Sequence, residues 1–163
     1  METPRSGGRL ILVCGLPGAG KTTYARQLQT RLLAIRFCPD EWMQTLSLDI
    51  WDAAMRERIE NLQWQLAQDI LVEGLTAVIE WGTWTRVGRD RLRLRARELG
   101  ASVELHYLYA PVDLLFERLQ RRAMERPPIR QEQLLQWAAS FQAPTADEQA
   151  LFDRSVELPA PSI

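Results

Sequence analysis

Two rhythms of apolar and polar positions alternate along the chain. Short, nearly continuous apolar runs recur at RLILVC (9–14), IRFC (35–38), TAVIEW (76–81) and VELHYLY (103–109), each bounded by Gly, Pro or polar residues. Runs of that length read as strands buried on both faces. Between them the period changes to three and four. Tyr24, Ala25, Leu28 and Leu32 predict a helix from Gly20 to about Ala34, and Met55, Ile59, Leu62, Leu66 and Ile70 predict a long one from Asp52 to Glu73. Further helices are expected over Thr85–Leu99, which Gly100 stops, over Pro111–Ala123 and over Glu132–Phe141, with a shorter helical segment, DEWMQTL, after Pro39. The tail SVELPAPSI supplies one more edge strand. Strands alternating with helices predict a parallel sheet covered on both faces, an α/β sandwich.

The length of 163 residues is that of a single domain, 1–163, with no repeat or low-complexity tract to divide it. A net charge of −1 supplies no global polycation for non-specific nucleic-acid binding, although arginines cluster locally at 86–97 and 118–130. Cys14 and Cys38 each end an apolar run and read as reduced, buried thiols. No stretch is apolar for the ~18 residues that a membrane span needs, and the N-terminus lacks a signal-peptide core; a cytoplasmic protein with no membrane partner is expected.

One stretch carries specific chemistry. Gly15-Leu16-Pro17-Gly18-Ala19-Gly20-Lys21-Thr22 fits G-x-x-x-x-G-K-[ST] at every fixed position, and Thr23 follows. It leaves a predicted strand and opens a predicted helix, which is the context this motif requires. Glycines let the backbone N–H groups close around a phosphate chain, and the helix aims its positive end at the same anion. Lys21 is the chain's only lysine; every other basic residue is arginine. A compact ammonium on a flexible stem fits inside a wrapped loop where a planar guanidinium does not. Lys21 is thus expected to reach the β- and γ-phosphates of ATP, and Thr22 to ligate Mg²⁺. Guanine-specific GTP-binding proteins need a second lysine in N-K-x-D, so that class is excluded. Motor and transport ATPases usually show four apolar residues closing in Asp; the nearest element here is AVIEWG, ending in Glu80.

With these residues in view, the sequence resembles the small P-loop kinases of the AAA-type predicted kinase group, related to the kinase domain of polynucleotide kinase and to chloramphenicol phosphotransferase. The resemblance spans about Leu10–Phe152 through GLPGAGKTT, CPDEW, VIEWGTWTRVGRDRLR, LHYLYAPVDLLFERLQRR and APTADE. It implies a three-layer P-loop NTPase fold with a five-stranded parallel sheet of order 2-3-1-4-5, an arginine-rich lid at about 123–131, and transfer of the γ-phosphoryl group of ATP to a hydroxyl.

Position by position, the resemblance makes Asp40 the general base or orienter of the attacking hydroxyl, with Glu41 beside it as a second candidate; the plain alternative is that Asp40 caps DEWMQTL. Glu80 is expected to serve Mg²⁺ through water or to bind the acceptor. Arg118 and Arg122 match R-L-x-x-R and would stabilise charge on the transferring group, or pack near adenine, with Arg126 and Arg130 in the lid; the alternative is a solvated helix end. Arg86, Arg89, Arg93 and Arg97 share one helical face, by default a solvated one, with Arg86 and Arg89 at the position that can contact an anionic acceptor. Trp42, Trp81 and Trp84 could line an acceptor pocket, while Trp51, Trp64 and Trp137 are expected to pack helices. His106, inside a strand, is expected to be buried and hydrogen-bonded.

The expected partners are ATP and a hydroxyl-bearing small molecule. A 5′-hydroxyl nucleic-acid kinase, or a non-catalytic regulatory ATP-binding protein, are the other readings.

Overall fold

The computed structural model describes residues 7–123 and 127–159. Its strands are β1 (Arg9–Cys14), β2 (Ile35–Phe37), β3 (Thr76–Ile79), β4 (Ser102–Tyr109) and β5 (Arg154–Pro159). All pair in parallel, in the order β2-β3-β1-β4-β5. The helices are α1 (Lys21–Leu32), α2 (Pro39–Thr45), α3 (Ala53–Val72), α4 (Arg86–Glu98), α5 (Val112–Arg122), α6 (Gln131–Ser140) and α7 (Ala146–Gln149).

β1 explains the three layers. Leu12 lies opposite Ile79 on one side and Leu105 on the other, so the strand is central. Successive side chains of a strand point to opposite faces, and β1 is apolar on both. Leu10, Leu12 and Cys14 pack with Ala67 and Leu71 of α3 and Leu92 and Ala96 of α4. Ile11 and Val13 pack with Ala25 and Leu28 of α1, Leu115 and Leu119 of α5 and Leu134 of α6. The apolar period of each helix thus meets one face of the sheet.

Several boundaries differ from the sequence expectation, each for a local reason. α1 ends at Leu32 because Leu33 turns left-handed (φ 52°) and donates its N–H to the Gln29 carbonyl. Pro39 does not simply stop β2; it fills the first position of α2, where a missing N–H costs nothing. Cys38 is the cap residue there, and Asp40 makes no side-chain capping bond. The capping role expected of Asp40 is therefore corrected. β3 closes at Ile79, leaving Glu80 and Trp81 just beyond the strand tip. The four-residue α7 was not expected, being too short to show a period.

His106 is buried as expected. Its Nε2 lies 2.8 Å from Glu104 and its Nδ1 2.7 Å from the Tyr24 hydroxyl. A carboxylate only accepts, so Nε2–H donates to Glu104 and Nδ1 accepts from Tyr24. Cys14 and Cys38 are free and buried, and burial pushes both thiols up to about 12. Among the described residues no helix is long and apolar enough to cross a membrane.

Candidate active site

The loop between β1 and α1 sits at the carboxyl edge of the sheet, where the connections from the central strand diverge to opposite faces. Two of its glycines are required by the backbone. Gly18 has φ +84°, and a Cβ there would lie 2.8 Å from the Leu115 carbonyl oxygen. Gly20 takes φ 91° immediately before the first residue of α1. Ala19 closes the turn by donating its N–H to the Leu16 carbonyl at 3.1 Å.

Lys21 folds back over this loop, donating to the carbonyls of Gly15 (2.8 Å) and Leu16 (3.0 Å). Burial lowers its ammonium pKa below the ordinary lysine range, against the pull of Glu80 and, more weakly, Asp40. Arg122 adds to the lowering, so its charge is felt at the loop. Arg118 reaches the loop itself, its Nη1 at 3.4 Å from the Gly18 carbonyl. Arg126 falls outside the described residues, as do residues 124 and 125 of the expected lid. A small cleft opens beside the loop, between Leu16 and Ala19 on one side and Tyr107, Tyr109 and Ala110 on the other.

On the opposite side of the loop, acids and arginines form a continuous array. The Thr22 hydroxyl donates to Glu80 Oε1 at 2.6 Å. The other Glu80 oxygen accepts from Arg36 Nη1 at 3.2 Å. Arg36 also holds Glu41, which in turn pairs with Arg26. The Arg36 and Glu80 side chains are 8% and 5% exposed, so this pair is shielded from water. Burial opposes the charge on Arg36, but the Glu41 and Glu80 carboxylates outweigh it and raise its pKa. Asp40 pairs with Arg56 of α3. Neither Arg36 nor Arg56 was singled out by the sequence. The signal for Arg36 was a charged residue inside a three-residue strand, IRF, next to the predicted acids.

The donors here are hard oxygens, a hydroxyl and a carboxylate, which suit Mg²⁺. Among the described residues no cluster of three or more His, Cys, Asp or Glu would hold a metal alone. A cation at Thr22 and Glu80 would therefore need further oxygens from water and a bound phosphate.

Other expected site residues lie elsewhere. Arg89 is fully buried, donating to both oxygens of Glu148 (2.6 and 2.8 Å) and to the Thr83 carbonyl (2.7 Å). It ties α4 to α7 and does not face an acceptor. Arg86 is held by Asp147 at 2.7 Å, away from the loop array. Trp84 packs edge-on against Trp137 (6.2 Å) and Phe141 (6.1 Å), while Trp137 stacks on Trp51 at 6.3 Å. These rings bind α6 to the loops after β3 and α2. Trp81 is buried in the core below Glu80, and Trp42 packs half-buried against the same cluster.

A family model described as an AAA domain matches residues 10–144. No curated protein matches the sequence. Among solved structures, Kti12 from Chaetomium thermophilum, in complex with ADP-AlF3, aligns with a TM-score of 0.69 at 18% identity, over 92% of this chain and 88% of that one. A gluconokinase from Sinorhizobium meliloti 1021 aligns at 0.59 and 16% identity, over 98% and 86%. A chain of the Pnkp1/Rnl/Hen1 RNA repair complex aligns at 0.69 and 19% identity, over 90% of this chain but 47% of its own length. At these identities the likeness is one of fold, the P-loop NTPase fold that the sheet order displays.

Proposed function

The chain belongs to the AAA domain family, and from that premise we propose that it is an ATP- and Mg²⁺-dependent phosphotransferase acting on a hydroxyl of a small molecule. The observation that carries this reading is the Thr22–Glu80 bond beside Lys21, with Asp40 in the first turn of α2, just beyond β2. Loop N–H groups cradle the phosphates, and Lys21 exchanges the Gly15 and Leu16 carbonyls for phosphate oxygens. Thr22 and Glu80 would hold Mg²⁺, which would supply neutralising charge to the phosphates. The acceptor hydroxyl gives its proton to Asp40 as its oxygen bonds to phosphorus, and ADP leaves with the electrons of the broken P–O bond. Arg56 fixes the direction of the Asp40 carboxylate. Arg118 and Arg122 stabilise negative charge on the transferring group.

A nucleic-acid kinase would need the arginine face of α4. Those arginines are engaged: Arg86 with Asp147, Arg89 with Glu148, Arg93 with Asp90 and Arg97 with Asp153. A cytoplasmic location belongs to this same proposal.

The test is ADP formation from ATP and Mg²⁺ across sugars, sugar acids, nucleosides, alcohol antibiotics and 5′-OH oligonucleotides. Turnover should rise with one small-molecule class. Lys21→Ala should lower it about 10²- to 10³-fold, and Asp40→Asn about 10²- to 10⁴-fold. Turnover independent of every acceptor and unchanged by Asp40→Asn would instead favour a regulatory nucleotide-binding protein.

A further inference from the structure

Helix α3 carries a line of polar residues where its period calls for apolar ones. Arg56, Glu60 and Gln63 follow at steps of four and three, and Ala67 and Leu71 continue the line into the core. The outer end is defined, because Arg56 pairs with Asp40. Glu60 is half-buried, and burial pushes its carboxyl above the usual range, against the pull of Arg56; Asp40, Glu57 and Arg91 are the other charges that reach it.

Gln63 is the anomaly. It is fully buried, and neither its amide oxygen nor its amide nitrogen has a hydrogen-bond partner. Trp81, buried at the tip of β3, likewise has an indole Nε1–H without a partner. Trp81 belongs to the same packed cluster as Ala67, one helical turn from Gln63. Buried polar groups are nearly always satisfied, so these orphaned atoms on the Asp40 side of the sheet need a partner.

We propose that Glu60, Gln63 and Trp81 form the specificity wall of the acceptor subsite, and that this subsite selects a polyhydroxylated molecule of sugar type. This rests on the phosphotransferase reading, in which Asp40 takes the reacting hydroxyl. A hydroxyl is both donor and acceptor. The wall offers the matching mixture: an acceptor at Glu60, a donor and an acceptor at Gln63, and a donor at Trp81. The half-buried rings of Trp42 and Trp64, packed on the same cluster, give apolar faces for the C–H surface of a sugar. An alcohol with a single hydroxyl would leave the wall unmatched, a large penalty in a site built to hydrogen-bond its substrate.

Gln63 is closed to solvent, so engagement requires the α2–α3 side to open, and binding is measured directly. The experiment is calorimetry on the full chain loaded with Mg²⁺ and a non-hydrolysable ATP analogue, titrated with D-gluconate, D-glucose, ribitol, thymidine and benzyl alcohol. At least one polyol should bind while benzyl alcohol does not. Gln63→Leu should weaken that polyol at least tenfold, leave the affinity for the ATP analogue within twofold, and not lower Tm, because it removes an amide that has no protein partner. Glu60→Gln is the second variant, expected to weaken the same polyol.

Absence of polyol binding to the wild type would overturn the inference. So would polyol binding unaltered in both variants, in which case the buried amide holds no more than a structural water. Polyol binding without ADP formation in the ATP assay would sustain the subsite and defeat the phosphotransferase reading. ADP formation driven by thymidine or an oligonucleotide, with no polyol binding, would do the reverse.

Discussion

Among the single residues, Lys21 and Arg89 make the sharpest contrast. The place of Lys21 was legible because its setting is local: loop, lysine and helix start all lie within eight residues. Arg89 was not, because its partner Glu148 lies fifty-nine positions away in the sequence, and helical spacing cannot tell an outward arginine from a buried, paired one. Both side chains of that pair are essentially inaccessible, at 0% and 1% exposure. Removing one partner should leave the other charge buried and unpaired, so Arg89→Met should cost about 3–5 kcal/mol in urea unfolding. Arg89→Met combined with Glu148→Leu should recover much of that loss. His106 makes a second prediction. Burial lowers its pKa below the ordinary 6.5, with Arg154 and Arg9 assisting and Glu104 opposing. The native state therefore favours neutral histidine. Its contribution to stability is present above the unfolded-state pKa and is lost as pH falls from about 6.5 through the lower folded-state value. Protonation would also force the Tyr24 hydroxyl to stop donating to Nδ1. Stability measured from pH 8 to 5 should fall less steeply in His106→Asn than in the wild type.

Among the elements, the periodic helices and the short strands matched expectation, and the one miss within the described residues was the four-residue α7. α3 and α4 are long enough for their apolar stripes to rise above chance, and both begin on side-chain caps. Asp52 accepts from the Met55 N–H at 2.9 Å, and Thr85 from the Gly88 N–H at 3.1 Å. Asp52→Ala should therefore cost about 1 kcal/mol, read as a Tm drop of about 3 °C for a chain of this size. By the same logic α7 escaped notice: four residues have no period, and what places them is the buried Glu148. The polar line on α3 was hidden differently. Its apolar residues drew attention to the helix, while Gln63 passed as an ordinary polar position until its burial was known.

For the whole molecule, the site exists because β1 lies between β3 and β4, bringing the ends of β1, β2 and β3 to one edge. Thr22 and Glu80 are fifty-eight residues apart yet share a 2.6 Å hydrogen bond. A site so assembled couples ligand binding to the stability of the entire domain. Mg²⁺ with a non-hydrolysable ATP analogue at about a hundred times its Kd should add about 2.7 kcal/mol to unfolding, visible as a raised Tm. Lys21→Ala should remove most of that rise while leaving the unliganded Tm little changed.

By itself the sequence determined the α/β alternation, the glycine-rich loop, the chain just beyond β2 and β3 that carries Asp40 and Glu80, and the buried character of His106 and both cysteines. These follow from period, turn chemistry and residue spacing, all of which act over a few positions. The tertiary structure alone decided which charges meet. Arg36 bridges Glu41 and Glu80, Arg56 holds Asp40, Arg89 is withdrawn into the core, and Gln63 is buried without a partner. Each depends on two elements brought side by side by the sheet order, and the energy of a charged or polar side chain is set by its partners and its distance from water, not by its neighbours along the chain.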